Sequence, residues 1–227
     1  IFLPLFFQWF TLKPLDSTRS DKTKSLSGRA QSRPTGFYNL MIFYFIVGLT
    51  TILLFLPFYS SQFISNYTET VGLWFQNFEF NASLYYVARE IGYLFRGYNE
   101  IAVIGAYTVI VVFLFVVFMA FFRKNTSTIQ LITAMLFALS FYYFTTTTVH
   151  PWYIATLLLL SVFTKYKFPL VWSFAIILSY LAYANNDNTE NLWLIALEYL
   201  IVYGVFVYEI WLKPNNPKLE IKTESLS

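Results

Sequence analysis

The stretch Ile101–Phe122 contains no charged side chain. At about 1.5 Å of rise per residue such a run covers the ~30 Å hydrocarbon core of a bilayer as an α-helix. Further apolar runs follow one another at 37–57, 128–144, 151–164, 168–184 and 192–212. They are apolar all round rather than alternating, which excludes the ten-residue strand pattern of a membrane barrel. A composition of 57% hydrophobic and only 12% charged residues excludes a soluble domain. The expected fold is therefore all-α: a polytopic membrane helix bundle with about six transmembrane helices. The chain has no cysteine, so it has neither a disulfide framework nor a thiolate metal site.

Charge sets the expected orientation. Residues 1–10, IFLPLFFQWF, are too short to span and lack the basic start of a signal peptide; they read as the end of a truncated transmembrane helix. Residues 11–36 carry Lys13, Arg19, Lys22, Lys24, Arg29 and Arg33. A basic run of this kind could suggest nucleic acid, but between apolar spans it reads as a cytoplasmic loop, and no nucleic-acid partner is expected. With six spans, thirteen of the fifteen Lys and Arg residues fall on one side, and only Arg89 and Arg96 on the other. The positive-inside rule then places both ends, including the tail 213–227, in the cytoplasm of a bacterial inner (plasma) membrane. The weakest span is 151–164: fourteen residues reach only about 21 Å. Re-entry there would carry five lysines outside, against the charge count.

Three external segments result: 58–100, 145–151 and 185–191. In the first, Phe80, Leu84, Val87, Ala88, Ile91, Leu94 and Phe95 fall on one helical stripe, with Ser83, Arg89, Glu90, Tyr93 and Arg96 mostly on the remainder. This predicts an amphipathic helix in the interface plane, against membrane lipids, ending at Gly97. Arg89 has two readings: pairing with a neighbouring carboxylate such as Glu90, or holding a lipid phosphate through its guanidinium fork. The second segment, TTTTVHPWY, holds the only histidine, His150, directly before a proline. His150 could bond the backbone or take part in proton transfer. With no cysteine or second histidine beside it, no metal site is expected. Trp152 and Tyr153 suit either an interfacial belt or a sugar-stacking surface. Glu198 lies about 12 Å inside the last span, where a carboxylate is a functional candidate. Glu209 sits four residues before Lys213 and reads as structural. Sequons stand at Asn66, Asn81 and Asn125.

Two stretches, FEFNASLYYVAREIG and TTTTVHPWYIATLLLLSVF, resemble the C-terminal half of bacterial GT-C glycosyltransferases, and most of all polyprenol-phosphate-mannose-dependent mannosyltransferases. The likeness extends over roughly 37–212. It implies a GT-C-like fold and an inverting, hexosyltransferase-type enzyme. Such an enzyme moves a sugar, with mannose favoured, from a polyprenyl-phosphate donor to a glycan or lipid acceptor on the external face, without a cofactor. By that resemblance His150, Trp152 and Tyr153 belong near the lipid-phosphate and sugar site, and Glu79, Asn81 and Tyr85 match the other stretch. Arg89 is added as a phosphate ligand from its charge and side of the membrane. The family's acidic general base lies in the first external loop. That loop would precede this chain, so the catalytic base is unknown here. The competing expectation is a multi-pass transporter with Glu198 and His150 along a polar path, or a non-catalytic membrane subunit. Against the transporter, no pair of Gly/Pro-interrupted spans marks a midplane site.

Overall fold

A computed structural model describes residues 1–12, 34–184 and 189–212, with the backbone alone at 34, 35 and 74–76. The expected basic loop, the tail and most of the NNDNTEN segment lie outside the described residues. Among those described, the chain is all-helical, and its one extended pairing is an isolated parallel bridge between Phe80 and Thr148. A 3₁₀ turn Leu3–Leu5 leads into α1 (Phe6–Leu12). Then follow α2 (Pro34–Phe55), α3 (Ser61–Asn77), α4 (Leu84–Arg96), α5 (Ile101–Phe122), α6 (Thr128–Thr145), α7 (Ile154–Val162), α8 (Phe168–Ala175) and α9 (Leu192–Val207). α8 continues into a nine-residue 3₁₀ stretch, Ile176–Ala184, and α9 widens into a π turn, Tyr208–Leu212.

Four helices are long and apolar enough to cross a membrane: Gly36–Phe58, Ile101–Phe122, Thr128–Thr145 and Leu192–Leu212. Leu3–Leu12, Pro151–Val162 and Phe168–Ala184 are apolar but shorter. Hydrogen bonds at the two ends of the bundle show how these segments alternate. At one end, Thr108 near the start of α5 bonds the Thr145 carbonyl at the end of α6. At the other, Gln8 donates to the Ala120 and Phe121 carbonyls, both at 2.9 Å, and accepts from the Asn125 N–H at 3.1 Å. These groups would otherwise be left open where α5 stops. Glu209 closes the same end by accepting from the Lys167 and Phe168 N–H groups at the start of α8, at 2.7 and 2.9 Å. Glu209 is thus structural as expected; Lys213 lies outside the described residues.

α6 is the central helix. Its buried face carries Thr133, Ala134, Ala138 and Ser140, small residues that let neighbouring backbones approach. The Thr133 and Ser140 hydroxyls bond their own helix four residues back, so they bring no unsatisfied group into the core. Phe115 stacks on Phe141 at 4.2 Å and Phe144 on Trp172 at 4.9 Å, joining α6 to α5 and α8. α2 and α5, by contrast, keep most of their Phe, Leu, Ile and Val side chains exposed, as a surface meant for lipid does. α1 and α2 touch closely: a Cβ on Gly36 would meet the Phe10 carbonyl at 2.6 Å.

The 58–100 segment departs from expectation in two ways. Residues 61–77, read as loop, form α3, which packs on α5. Phe80, placed by spacing on the amphipathic stripe, lies before the helix, in the bridge to Thr148, and is buried. Of the rest of the stripe, Leu84, Val87, Ile91, Leu94 and Phe95 are exposed on α4 and Ala88 is half-buried, while Tyr85 and Tyr86 turn into the core. Gly97 ends the helix at φ +75°, its N–H on the Tyr93 carbonyl. Of the three sequon asparagines, Asn81 and Asn125 are fully buried and Asn66 is exposed.

Candidate functional site

The two motif stretches meet. The Phe80 N–H donates to the Thr147 carbonyl at 3.1 Å, the Val149 N–H to the Phe80 carbonyl at 2.8 Å, and the Thr148 hydroxyl to the Phe78 carbonyl at 3.1 Å. The Thr-rich run is extended here because Pro151 bars helix at the residue before it, His150, whose ψ is 148°. This pairing sets His150 in an aromatic column. Its ring lies 4.4 Å from Trp152, within 8° of parallel, and 5.2 Å from Phe80. Tyr153 meets it edge-on at 5.3 Å. Burial holds the imidazole below its usual range. Trp152 stays 59% exposed, so one end of the column is open to a ligand.

Asn81 follows Phe80 in the left-handed region, φ +46°, a conformation asparagine tolerates. Its three bonds come from Glu190, just before α9, and from Glu198 and Tyr199 within that helix. Its N–H donates to Glu190 Oε1 at 2.6 Å, its carbonyl accepts from the Tyr199 hydroxyl at 2.7 Å, and its Nδ2 donates to Glu198 Oε1 at 3.1 Å. Glu198, deep in the last span, also accepts from Trp172 Nε1 at 3.0 Å. Two residues on, the Ser83 and Tyr203 hydroxyls are 2.7 Å apart.

Glu79 gathers the α4 side. It accepts from Arg89 Nη1 at 2.5 Å, from the Tyr85 hydroxyl at 2.6 Å and from Asn99 Nδ2 at 3.2 Å. Arg89 reaches Glu90 as well, at 2.9 Å, so the neighbour-pairing reading of this arginine describes the structure. Burial pulls the guanidinium down, and Glu90 and Glu79 more than offset it, leaving Arg89 above its ordinary value. Burial, reinforced by Glu79, raises Tyr85. Tyr86 donates to Glu190 and lies 4.5 Å beneath the Arg89 guanidinium. Burial also pushes the Glu190 carboxyl up, against the bonds from Tyr86 and the Asn81 N–H.

Two hollows open on this cluster. A polar pocket of about 520 Å³ is walled by Glu79, Arg89, Thr189 and Glu190, with Phe80 and Tyr183 as apolar faces. An apolar groove of about 380 Å³ runs between α4 and α9, along Leu84, Val87, Ile195 and Leu200. Tyr86 and Arg89 line both. A further hollow, about 550 Å³ between the N-terminal segment, α5 and α6, is mostly apolar and has Thr108, Thr146 and Thr147 in its lining toward this end.

Glu79, Asn81, Tyr85 and Arg89 thus form one connected network, and His150, Trp152 and Tyr153 one column, joined through Phe80. Asn81 and Tyr85 are buried behind the pocket and support it rather than line it. Glu190 and Tyr86 are the members that spacing did not single out; a carboxylate on the predicted external side was the available signal. Among the described residues, no group of three His, Cys, Asp or Glu side chains gathers as metal ligands would. Compared with protein-family models, curated proteins and solved structures, the chain matches none.

Proposed function

We propose that this chain is the C-terminal part of a GT-C-like integral-membrane glycosyltransferase of about six spans, acting at the external face of a bacterial inner membrane. It moves a sugar, mannose favoured, from a polyprenyl-phosphate donor to a glycan or lipid acceptor. The observation that carries this reading is the pair of hollows sharing Tyr86 and Arg89. A lipid-linked sugar needs three environments in sequence: an apolar track for the chain, a cation for the phosphate, and a polar pocket with aromatic faces for the sugar. The groove between α4 and α9, Arg89, and the Glu79–Glu190 pocket supply them in that order.

Arg89 is already engaged, but its two partners differ. Glu90 is 61% exposed, and its pairing is worth little in water, so a phosphate can take its place while Glu79 keeps the guanidinium aimed. In this reading His150 lines neither hollow and bears on the sugar site through Phe80, which it stacks on and which forms one face of the pocket, while the exposed Trp152 face beside it is available to a sugar's apolar side. Proton removal from the acceptor is assigned to no residue of this chain.

The test is transfer from radiolabelled polyprenyl-phosphate-mannose in membranes expressing the full-length parent, with His150→Ala and Arg89→Ala beside it. Transfer by the parent, abolished by either substitution at unchanged protein level, is the expected result. Failure with this donor removes mannose; failure with other polyprenyl-phosphate sugars as well removes the transferase reading and favours a transporter.

A further inference from the structure

Glu198 and Asn81 are both fully buried, and one hydrogen bond joins them, from Asn81 Nδ2 to Glu198 Oε1. Each has one further oxygen, Asn81 Oδ1 and Glu198 Oε2, buried and without a hydrogen-bonding partner. Two orphaned acceptors on a pair of side chains already in contact is a costly arrangement if Glu198 is a carboxylate, since neither oxygen can donate to the other. No Lys or Arg lies in ion-pair reach of Glu198 among the described residues; its recorded donors are the neutral Asn81 amide and Trp172 indole. A single proton removes the difficulty. Placed on Oε2, it lets the acid donate to Asn81 Oδ1 while Oε1 keeps its bonds from Nδ2 and Trp172, so both orphans are satisfied together.

We propose that Glu198 is a neutral carboxylic acid closed onto Asn81 in a two-bond acid–amide ring, and that this ring is the positioning device for the site's central turn. Asn81 is the one non-glycine residue with positive φ among those described. Its N–H and carbonyl are held by Glu190 and Tyr199, which fix its place but leave its side chain free to rotate. The ring removes that freedom and anchors the turn to α9 and, through Trp172, to α8. Phe80 and Glu79, immediately before, are thereby held against His150 and Arg89. Glu198 acts through Asn81 and lines neither the pocket nor the groove. The inference does not rest on any particular substrate.

The discriminating substitution is Glu198→Gln. A glutamine amide closes the same ring, Nε2–H to Asn81 Oδ1 and Oε1 from Asn81 Nδ2, with no titratable proton. Glu198→Ala opens it. The full-length parent in detergent is measured by difference infrared spectroscopy and by thermal unfolding. The expected spectrum has a protonated-carboxyl carbonyl band that shifts in D₂O and is lost in Glu198→Gln. The glutamine protein unfolds within a few degrees of the parent, and the alanine protein well below both. If Glu198→Gln removes no such band, or the glutamine protein is as unstable as the alanine one, Glu198 is ionised and the ring does not exist. Absence of sugar transfer by the parent, with the band and the melting pattern as expected, would count against the transferase reading alone.

Discussion

Arg89 holds two carboxylates, and substituting each gives opposite outcomes. Glu79 is 28% exposed against an arginine that is 13% exposed, at 2.5 Å; Glu90 is 61% exposed at 2.9 Å. A charge-assisted bond in a half-buried site contributes about 1.5–3 kcal/mol net, and partial solvent screening brings Glu79 to the lower part of that range. Glu79→Gln with its oxygen kept toward the Tyr85 hydroxyl and Asn99 Nδ2 sets its amide N–H toward Arg89. The expected Glu79–Arg89 coupling is about 2 kcal/mol, or roughly 30-fold. For Glu90, exposure and adjacency in sequence leave less than about 0.5 kcal/mol. Double-mutant cycles with Arg89→Ala, read from unfolding in mixed micelles, measure both terms. The same proteins assayed for transfer separate the roles further. Glu79→Gln raises the donor KM by loosening the guanidinium, whereas Glu90→Gln leaves it unchanged or lowers it. A Glu90 coupling equal to or larger than that of Glu79 would refute the assignment of Glu79 as the residue that aims Arg89.

Gln8→Ala strips partners from two carbonyls and one N–H and is expected to cost about 2–3 kcal/mol, while Thr11→Val, which loses only a bond to its own helix, costs under about 1 kcal/mol; thermal unfolding in detergent ranks them. Glu209→Ala opens the start of α8 and is expected to cost about 1–2 kcal/mol, as loss of a helix cap does, with hydrogen exchange rising first at Lys167 and Phe168. Burial keeps the folded His150 imidazole below its usual value of about 6.5. As pH falls, the unfolded chain therefore takes up the proton first, so the neutral ring's contribution is full above about pH 6.5 and drains below it. His150→Phe keeps the aromatic column and should flatten that part of the stability–pH curve.

Most of the bundle was legible because lipid imposes a simple requirement, a long apolar run closed on its own hydrogen bonds, and α2, α5, α6 and α9 meet it almost residue for residue. Gly97 was legible for an equally local reason. The site was readable only in its parts. Phe80 stands four residues before Leu84, and helical spacing has no means of detecting that the chain turns out of helix at Asn81. That turn is imposed by Thr147–Val149 and by α9, and the Asn81–Glu198 bond alone spans 117 positions. α3 was missed because its apolar residues are diluted by Ser, Asn, Thr and Glu, so it resembles loop until α5 supplies a surface. Glu190 was one carboxylate among several on its side, and only Tyr86 and the Asn81 N–H distinguish it. The Arg89 pairing, conversely, could be read from Glu90 next door, while Glu79, ten residues away, could not.

The clasp around Asn81 also bears on the order in which the protein is made. Its partners Glu190, just before α9, and Glu198 and Tyr199, within it, all leave the ribosome more than a hundred residues after the turn itself. Until α9 enters the membrane, the turn's N–H, carbonyl and side chain can be satisfied only by water at the interface. The bundle through α8 can pack beforehand, but the pocket cannot take its shape. Insertion of α9 is thus the step that fixes the Asn81 turn, and a ribosome stalled before Glu190 would leave a membrane-embedded protein whose two motif stretches can pair through Phe80 but whose turn has none of its three clasping partners.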